Sequence, residues 1–384
     1  MTRISPTLAS LASYPFVRLD EAKRTAAARG IELIDFGQGD PREETEPFIR
    51  EALAAAIRPA MGYPRAAGLP ELREAIAEWA GTRFGATLDP AHEVIPTLGS
   101  KEAIFHLAQV VDTSGDRDLV LVMEPGYPVP ERGALFAGAR VQALPLREEH
   151  GFLPDLDAVT EETWRQTALV WTNYPNNPTG ATAPLAFYER LAELARAHDF
   201  VLASDEAYSE LYFGEPPVSA LQLADRRNVV VLNTLSKRSS MTGYRSGFVA
   251  GDAELIVALR AYRPNVGTAP QEFVQRASIA AWQDEAHVER MRARYAAKRD
   301  LFLAALARAG LRNAGGDATF FLWVATPAGE PAEEFAARLL EDGLVVAPGS
   351  YFGPAGEGYV RFALVPTLEE CGRAAELLVT RFQA

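Results

Sequence analysis

Cysteine is almost absent from this chain of 384 residues: Cys371 stands alone, so no intrachain disulfide framework is possible. It lies in LEECGRAAELL, a helical pattern in which a buried, inert thiol is the ordinary expectation. Histidine is nearly as scarce. His92, His106, His150, His198 and His287 show no metal-ligand spacing and read as scattered structural residues, so no metal site is expected. No apolar run approaches the roughly 18 residues of a membrane span, and MTRISPTLASLASYPF lacks the apolar centre of a signal peptide. A cytoplasmic protein without a membrane partner is the expectation. Positive charge is the minority, 38 basic against 51 acidic residues for a net charge of −13, and it is scattered, which argues against a nucleic-acid partner. No glycine fingerprint follows an early strand, as a nicotinamide enzyme would require. Flexible linkers, internal repeats and low-complexity segments are also missing.

What remains is an ordinary globular composition, 48% hydrophobic and 23% charged, able to bury a sizeable interior. Short runs rich in Val, Leu and Ile, namely DLVLVMEP, ALVWTNYP, FVLASDEAY, NVVVLNTLS and SGFVAGD, alternate with amphipathic segments. That alternation predicts an α/β fold with a mostly parallel sheet flanked by helices. PELREAIAEWAGTRFG and PLAFYERLAELARAHD read as helices, each with proline in its first turn. Beyond about residue 284 the pattern changes: one long helix, DEAHVERMRARYAAKRDLFLAALARAG, precedes isolated strands ATFFLWVAT and YVRFALV separated by AEEFAARLLEDG. This is an α+β layout, and a smaller second domain is expected there.

Ligands of open parallel sheets sit beyond the carboxyl ends of the strands. The segments that follow the strands are therefore informative: NYPNNPTG with Asn177, DEAY with Asp205 and Tyr208, and TLSK with Thr234, Ser236 and Lys237. Arg245 follows eight residues after Lys237. Pyridoxal phosphate would use all of these groups: an amine for its aldehyde, a carboxylate for its ring nitrogen, donors for its phenolic oxygen, and hydroxyls with an arginine for its phosphate. Gly99 and Ser100 open a further helix and would aim free amides at the phosphate. Lys101 beside them is a candidate on the same side, with a solvated lysine as its plain alternative. Singly, each segment has an ordinary reading as a turn or a surface charge; their order and spacing carry the inference.

NYPNNPTG, SDEAY, TLSKRSSMTGYRSG and YVRFAL together resemble the signature segments of class I aminotransferases of fold type I, over nearly the whole chain from about Tyr14. The resemblance implies a large cofactor-binding domain over 41–283, a small domain over 284–384, and residues 1–40 as an arm joined to the small domain. It implies that Lys237 bonds to pyridoxal 5'-phosphate and serves as the general base. Asp205 then partners the pyridine nitrogen, Tyr208 and Asn177 meet the phenolic oxygen, and Tyr127 stacks on the ring. Gly99, Ser100, Thr234, Ser236 and Arg245 form the phosphate cup, Thr234 replacing the usual serine.

On the substrate side, Arg361 matches the arginine that grips the α-carboxylate, a task suited to a planar guanidinium. By the same resemblance Asn177 and Gly39 are expected in that subsite, a plain turn glycine being the alternative for Gly39. Tyr63 matches a tyrosine that reaches the phosphate of a neighbouring subunit, which implies a homodimer with shared sites. The implied reaction transfers an amino group from an amino acid, glutamate being the expected donor, to a 2-oxo acid by ping-pong kinetics. SKRS and SIAAWQDEAHVERMRARYAAKRD resemble the N-succinyldiaminopimelate aminotransferases of lysine biosynthesis, although SSMTGYRSG departs from that group. Alternatives are an aspartate or other class I aminotransferase, a carbon-sulfur β-lyase, and a non-catalytic ligand-binding protein. Arg18, Arg65, Arg238 and Arg263 stay open as partners for a distal substrate carboxylate.

Overall fold

The computed structural model describes residues 2–11 and 15–383; Tyr14, where the family resemblance begins, lies outside the described residues. Its strands, in chain order, are β1 (Ile34–Asp35), β2 (Val94–Thr97), β3 (Leu119–Glu124), β4 (Arg140–Pro145), β5 (Thr167–Asn173), β6 (Val201–Asp205), β7 (Val229–Thr234), β8 (Gly247–Gly251), β9 (Phe321–Ala325), β10 (Leu344–Val345), β11 (Ala347–Pro348) and β12 (Tyr359–Ala363). Seven of them form one sheet in the order β2-β8-β7-β6-β5-β3-β4. Only β8 runs against the others, pairing antiparallel with both β7 and β2. Every residue of β5, β6 and β7 is buried, as their unbroken apolar composition requires of central strands covered on both faces.

Two strands of this sheet escape the sequence pattern, for physical reasons. β2 is buried throughout but only four residues long and broken by Pro96, and the edge strand β4 is mostly exposed, so neither reads as an apolar run of ordinary strand length. The helices follow their punctuation. Pro70–Phe84 starts on Pro70 and stops at Gly85, whose φ of +68° a residue with a side chain seldom adopts. Leu185–His198 buries Phe187, Tyr188, Leu191, Ala192, Leu194 and Ala195 at helical spacing, but its proline, Pro184, caps the helix rather than occupying its first turn.

The long helix over Ala286–Arg308 packs against the terminal helix Leu368–Gln383. Beside this pair lies an antiparallel sheet in the order β11-β12-β9. β1, from the start of the chain, pairs in parallel with β10, so residues 34–35 join the C-terminal layer. Cys371 is fully buried there, and burial pushes its thiol up to about 11, away from nucleophilic use. Among the described residues no helix is long and apolar enough to cross a membrane, and no cluster of His, Cys, Asp or Glu could hold a metal ion.

Candidate active site

β5 ends on Asn173, and the loop that follows is folded by its own amides. Asn173 Oδ1 accepts from Asn177 N at 2.9 Å, while Asn176 Oδ1 accepts from Thr179 N at 3.1 Å and from its hydroxyl at 2.8 Å. Asn173 Nδ2 donates to Asp205 O at 2.9 Å and so ties the ends of β5 and β6 together. With its backbone held, Asn177 turns its side chain to Arg361, whose Nη1 donates to Asn177 Oδ1 at 2.8 Å and whose Nη2 donates to Gly37 O at 2.8 Å. The guanidinium is 3% exposed and sits 4.3 Å from the Phe321 ring centre and 4.6 Å from that of Phe352.

Asp205 ends β6 in a buried position, where desolvation pushes its carboxyl up to about 7 against the opposing pull of Ala207 N–H and Lys237. Tyr208, one turn on, packs edge-on against Phe320 and Phe321. β7 ends on Thr234, which caps the short helix Leu235–Arg238 by accepting from Ser236 N and donates its own hydroxyl hydrogen to Ser246 O at 2.8 Å. That turn presents Lys237, whose Nζ donates to Gly39 O at 2.6 Å. Burial lowers the Lys237 amine to about 8; Arg361 and Arg245 push the same way, whereas Asp40 and Asp205 oppose them.

Gly99 has φ +73° and caps the helix Ser100–Leu107; a Cβ there would stand 2.7 Å from Arg245 Nη2. Glycine thus lets the backbone and the guanidinium approach each other. Arg245, itself at φ +55°, is held by Thr242 O at 2.8 Å. Lys101 is exposed, and its amine is lowered by partial burial and by Arg245 and Arg132.

A cavity of about 470 Å³ collects these groups. Gly39, Ser100, Lys101, Tyr127, Asn177, Asp205, Tyr208, Thr234, Ser236, Lys237, Arg245 and Arg361 all line it. Gly99 lies behind Arg245 instead, and Tyr63 stands fully exposed on the segment before Pro70. Sequence reading missed Asn173, Asp20, Gln38 and Asp40, which also line the cavity; for Asn173 the signal was its place at the end of a buried strand. None of the four arginines left open lines the cavity. Arg238 is buried, bonded to Ala281 O at 3.1 Å and to Glu285, with its guanidinium 4.6 Å from Trp282. Arg263 is buried on Ala66 O, Pro96 O and Glu102. Arg18 pairs with Glu333 at 3.4 Å, and Arg65 is exposed.

A buried carboxylate, an amine of lowered pKa, a hydroxyl-lined helix start with an arginine, and a second arginine at the opposite strand suit a phosphorylated, ring-nitrogen cofactor and an amino acid in one cavity. With the mostly parallel seven-stranded sheet they define a fold type I pyridoxal-phosphate enzyme. Residues 31–378 match the family model for aminotransferases of class I and II, and the chain belongs to that family. It is 42% identical to the LL-diaminopimelate aminotransferase of Nitratidesulfovibrio vulgaris over 369 residues, 94% of this chain and 95% of that one. An aminotransferase structure from Neisseria meningitidis superposes with a TM-score of 0.92 at 37% identity, covering 99% of this chain and 100% of the other. The probable N-succinyldiaminopimelate aminotransferase of Thermus thermophilus superposes at 0.88 with 35% identity, over 95% and 99% of the two chains.

Proposed function

We propose that this aminotransferase acts on an amino acid of the diaminopimelate type, with glutamate as the second amino donor. The observation that carries the catalytic part is the convergence of Lys237, Asp205 and Arg361 on one cavity. Pyridoxal phosphate, when bound, supplies the electron sink that allows the substrate α C–H bond to break. Its phosphate would be held by Ser100, Thr234, Ser236, Arg245 and the amides after Gly99, with Lys101 alongside. Asp205 would face the ring nitrogen, Asn177 and Tyr208 the phenolic oxygen, and Tyr127 the ring.

The residues of this chain then divide the work. Arg361, its orientation held by Asn177 and Gly37, receives the substrate α-carboxylate near Gly39. Lys237 Nζ, with its lowered pKa, takes the α-proton and returns it. Phe321 and Phe352, on the Arg361 guanidinium, keep water from that ion pair. Tyr63, exposed in a single chain, suits the neighbouring site of a homodimer.

For the distal half of the substrate two readings compete. The sequence resemblance points to the N-succinyl derivative, and the Thermus thermophilus neighbour carries that name. The Nitratidesulfovibrio vulgaris relative, more similar in sequence, favours free LL-diaminopimelate as the first choice. Mixing the cofactor-loaded protein with LL-diaminopimelate, its N-succinyl derivative, glutamate and aspartate, and following the cofactor absorbance, separates them. Bleaching by aspartate alone would end the proposal, and pyruvate release from cystathionine without an oxo acid would favour the lyase.

A further inference from the structure

Residues 39–45 cross directly over the turn that carries Lys237. Gly39 O accepts from Lys237 Nζ at 2.6 Å, and Asp40 is the nearby acid that most favours the charged amine. Further along, Glu43 O accepts from the Ser240 hydroxyl, and the Thr45 hydroxyl donates to Ser240 O at 2.7 Å. This strap therefore grips both ends of the 237–240 turn, and Ser240 takes a left-handed φ of +51° there.

The strap is anchored on its far side. Glu43 pairs at 2.5 Å with Lys298, whose side chain is 3% exposed on the long helix Ala286–Arg308, and Arg294 approaches the same carboxylate at 3.9 Å. Lys298 Nζ lies 5.1 Å from the Tyr295 ring centre, and Tyr295 packs on Phe320, which stands 5.6 Å from Lys237 Nζ. A lysine this deeply buried needs its carboxylate, because an ion left alone there is strongly disfavoured. The pair ties the strap to the helix.

We propose that the Glu43–Lys298 ion pair is a positioning device: it holds the 39–45 strap where the Gly39 carbonyl and the Asp40 carboxylate face the Lys237 amine. Neither residue touches the cavity, so both act through the strap. The proposal rests on the reading of Lys237 as the reacting amine. Four charged groups bear on that amine: Asp40 and Asp205 favour its charge, Arg361 and Arg245 oppose it. Of these, Asp40 alone belongs to the strap.

The test is competitive acetylation of Lys237 in the cofactor-free protein as a function of pH, read by mass spectrometry. It uses neither cofactor nor substrate, so its outcome is separate from whether the chain transfers amino groups. In the otherwise unchanged chain, Asp40→Asn should lower the Lys237 midpoint by about 0.5 unit, the loss of one partly exposed opposite charge. In a chain carrying Glu43→Gln and Lys298→Met, the same substitution should shift it by less than half as much. An equal shift in both backgrounds, or none in the first, overturns the proposal. Should the doubly substituted chain lose its circular dichroism signal, Lys298→Met alone, which leaves Glu43 beside Arg294, carries the same comparison. Lys298→Arg should restore the full Asp40 effect; failure to restore it would also overturn the idea.

Discussion

Asn177 Oδ1 lies 2.8 Å from Arg361 Nη1, although 184 residues separate the two in sequence. The contact joins the loop after a central strand of the large sheet to the middle strand of the small one. With Gly37 O on the other terminal nitrogen, it fixes the plane of the guanidinium before any substrate arrives. A substrate carboxylate, in the role proposed for Arg361, would meet a fork already aimed, which limits the ordering cost of binding.

Replacing Arg361 by lysine therefore removes more than geometry on the substrate side. A single ammonium cannot satisfy Asn177, Gly37 and a two-oxygen carboxylate together. We expect KM for the amino acid to rise roughly 10–100-fold, as loss of a charge-assisted bidentate contact implies, with a smaller fall in kcat. Steady-state kinetics check this, and an unchanged KM would remove Arg361 from the carboxylate site.

Lys237→Ala should abolish turnover while the protein still binds cofactor noncovalently, because Ser100, Ser236 and Arg245 remain. Equilibrium dialysis and single-turnover absorbance measure the two properties separately. Near-normal amino transfer by this variant would refute the assigned base.

Much of the site could be read before the structure because its groups sit at the ends of apolar strands, a local pattern. Asp205, Lys237 and Asn177 were found in that way. Arg238 could not be placed from its neighbours: what holds it is Trp79, Trp282 and Glu285, which approach it only through tertiary packing. The strap over Lys237 was invisible for the same reason, since Glu43 and Lys298 are 255 positions apart. Asp20 and Gln38, bonded to each other at 3.0 Å, come from the helix Pro15–Ala28 and from the segment after the two-residue β1, so neither follows an apolar strand that would mark it. Tyr63 was legible only by resemblance, as its ring is fully exposed among the described residues.

The Arg238 environment makes its own prediction. Arg238→Ala empties the space between two tryptophans and takes a partner from Glu285, whose side chain is half-exposed and stays solvated, so stability should fall by about 2–5 kcal/mol, the usual cost of truncating a large buried side chain. Arg238→Met keeps the volume and should lose less than half of that. Denaturant titration measures both. The relative kcat/KM values among amino donors should stay constant in Arg238→Met; a selective loss for one donor would return Arg238 to the substrate site.

Glu206 is wholly buried beside Asp205, accepting from the Ser204 hydroxyl and from Ala220 N, each at 2.9 Å, and burial pushes its carboxyl up to about 7. Its folded pKa thus exceeds the unfolded one, so the folded chain holds an extra proton between about 4.5 and about 7. Stability must fall as pH rises through that window, and the loss is complete above it. Glu206→Gln keeps an acceptor and cannot ionise. We expect it to be more stable than the parent by about 1–3 kcal/mol at pH 8, an advantage that vanishes below about pH 4.5. Equal stabilisation at both pH values would contradict the assigned burial.

If the exposed Tyr63 completes a neighbouring site, two defective chains should repair each other. Lys237→Ala destroys the site that its own chain builds, whereas Tyr63→Ala damages only the site of its partner. In a mixed dimer, the chain with intact Lys237 receives Tyr63 from the Lys237→Ala subunit, so that one site regains every group. The other site of the same dimer carries both defects. Random mixing of equal amounts makes half of the dimers hybrid, and activity should return to about a quarter of the wild-type value in an isologous pair. The check is the activity of co-refolded mixtures against each variant alone, with sedimentation to establish the dimer. Activity that never exceeds the average of the two parents would show that Tyr63 serves its own chain or none.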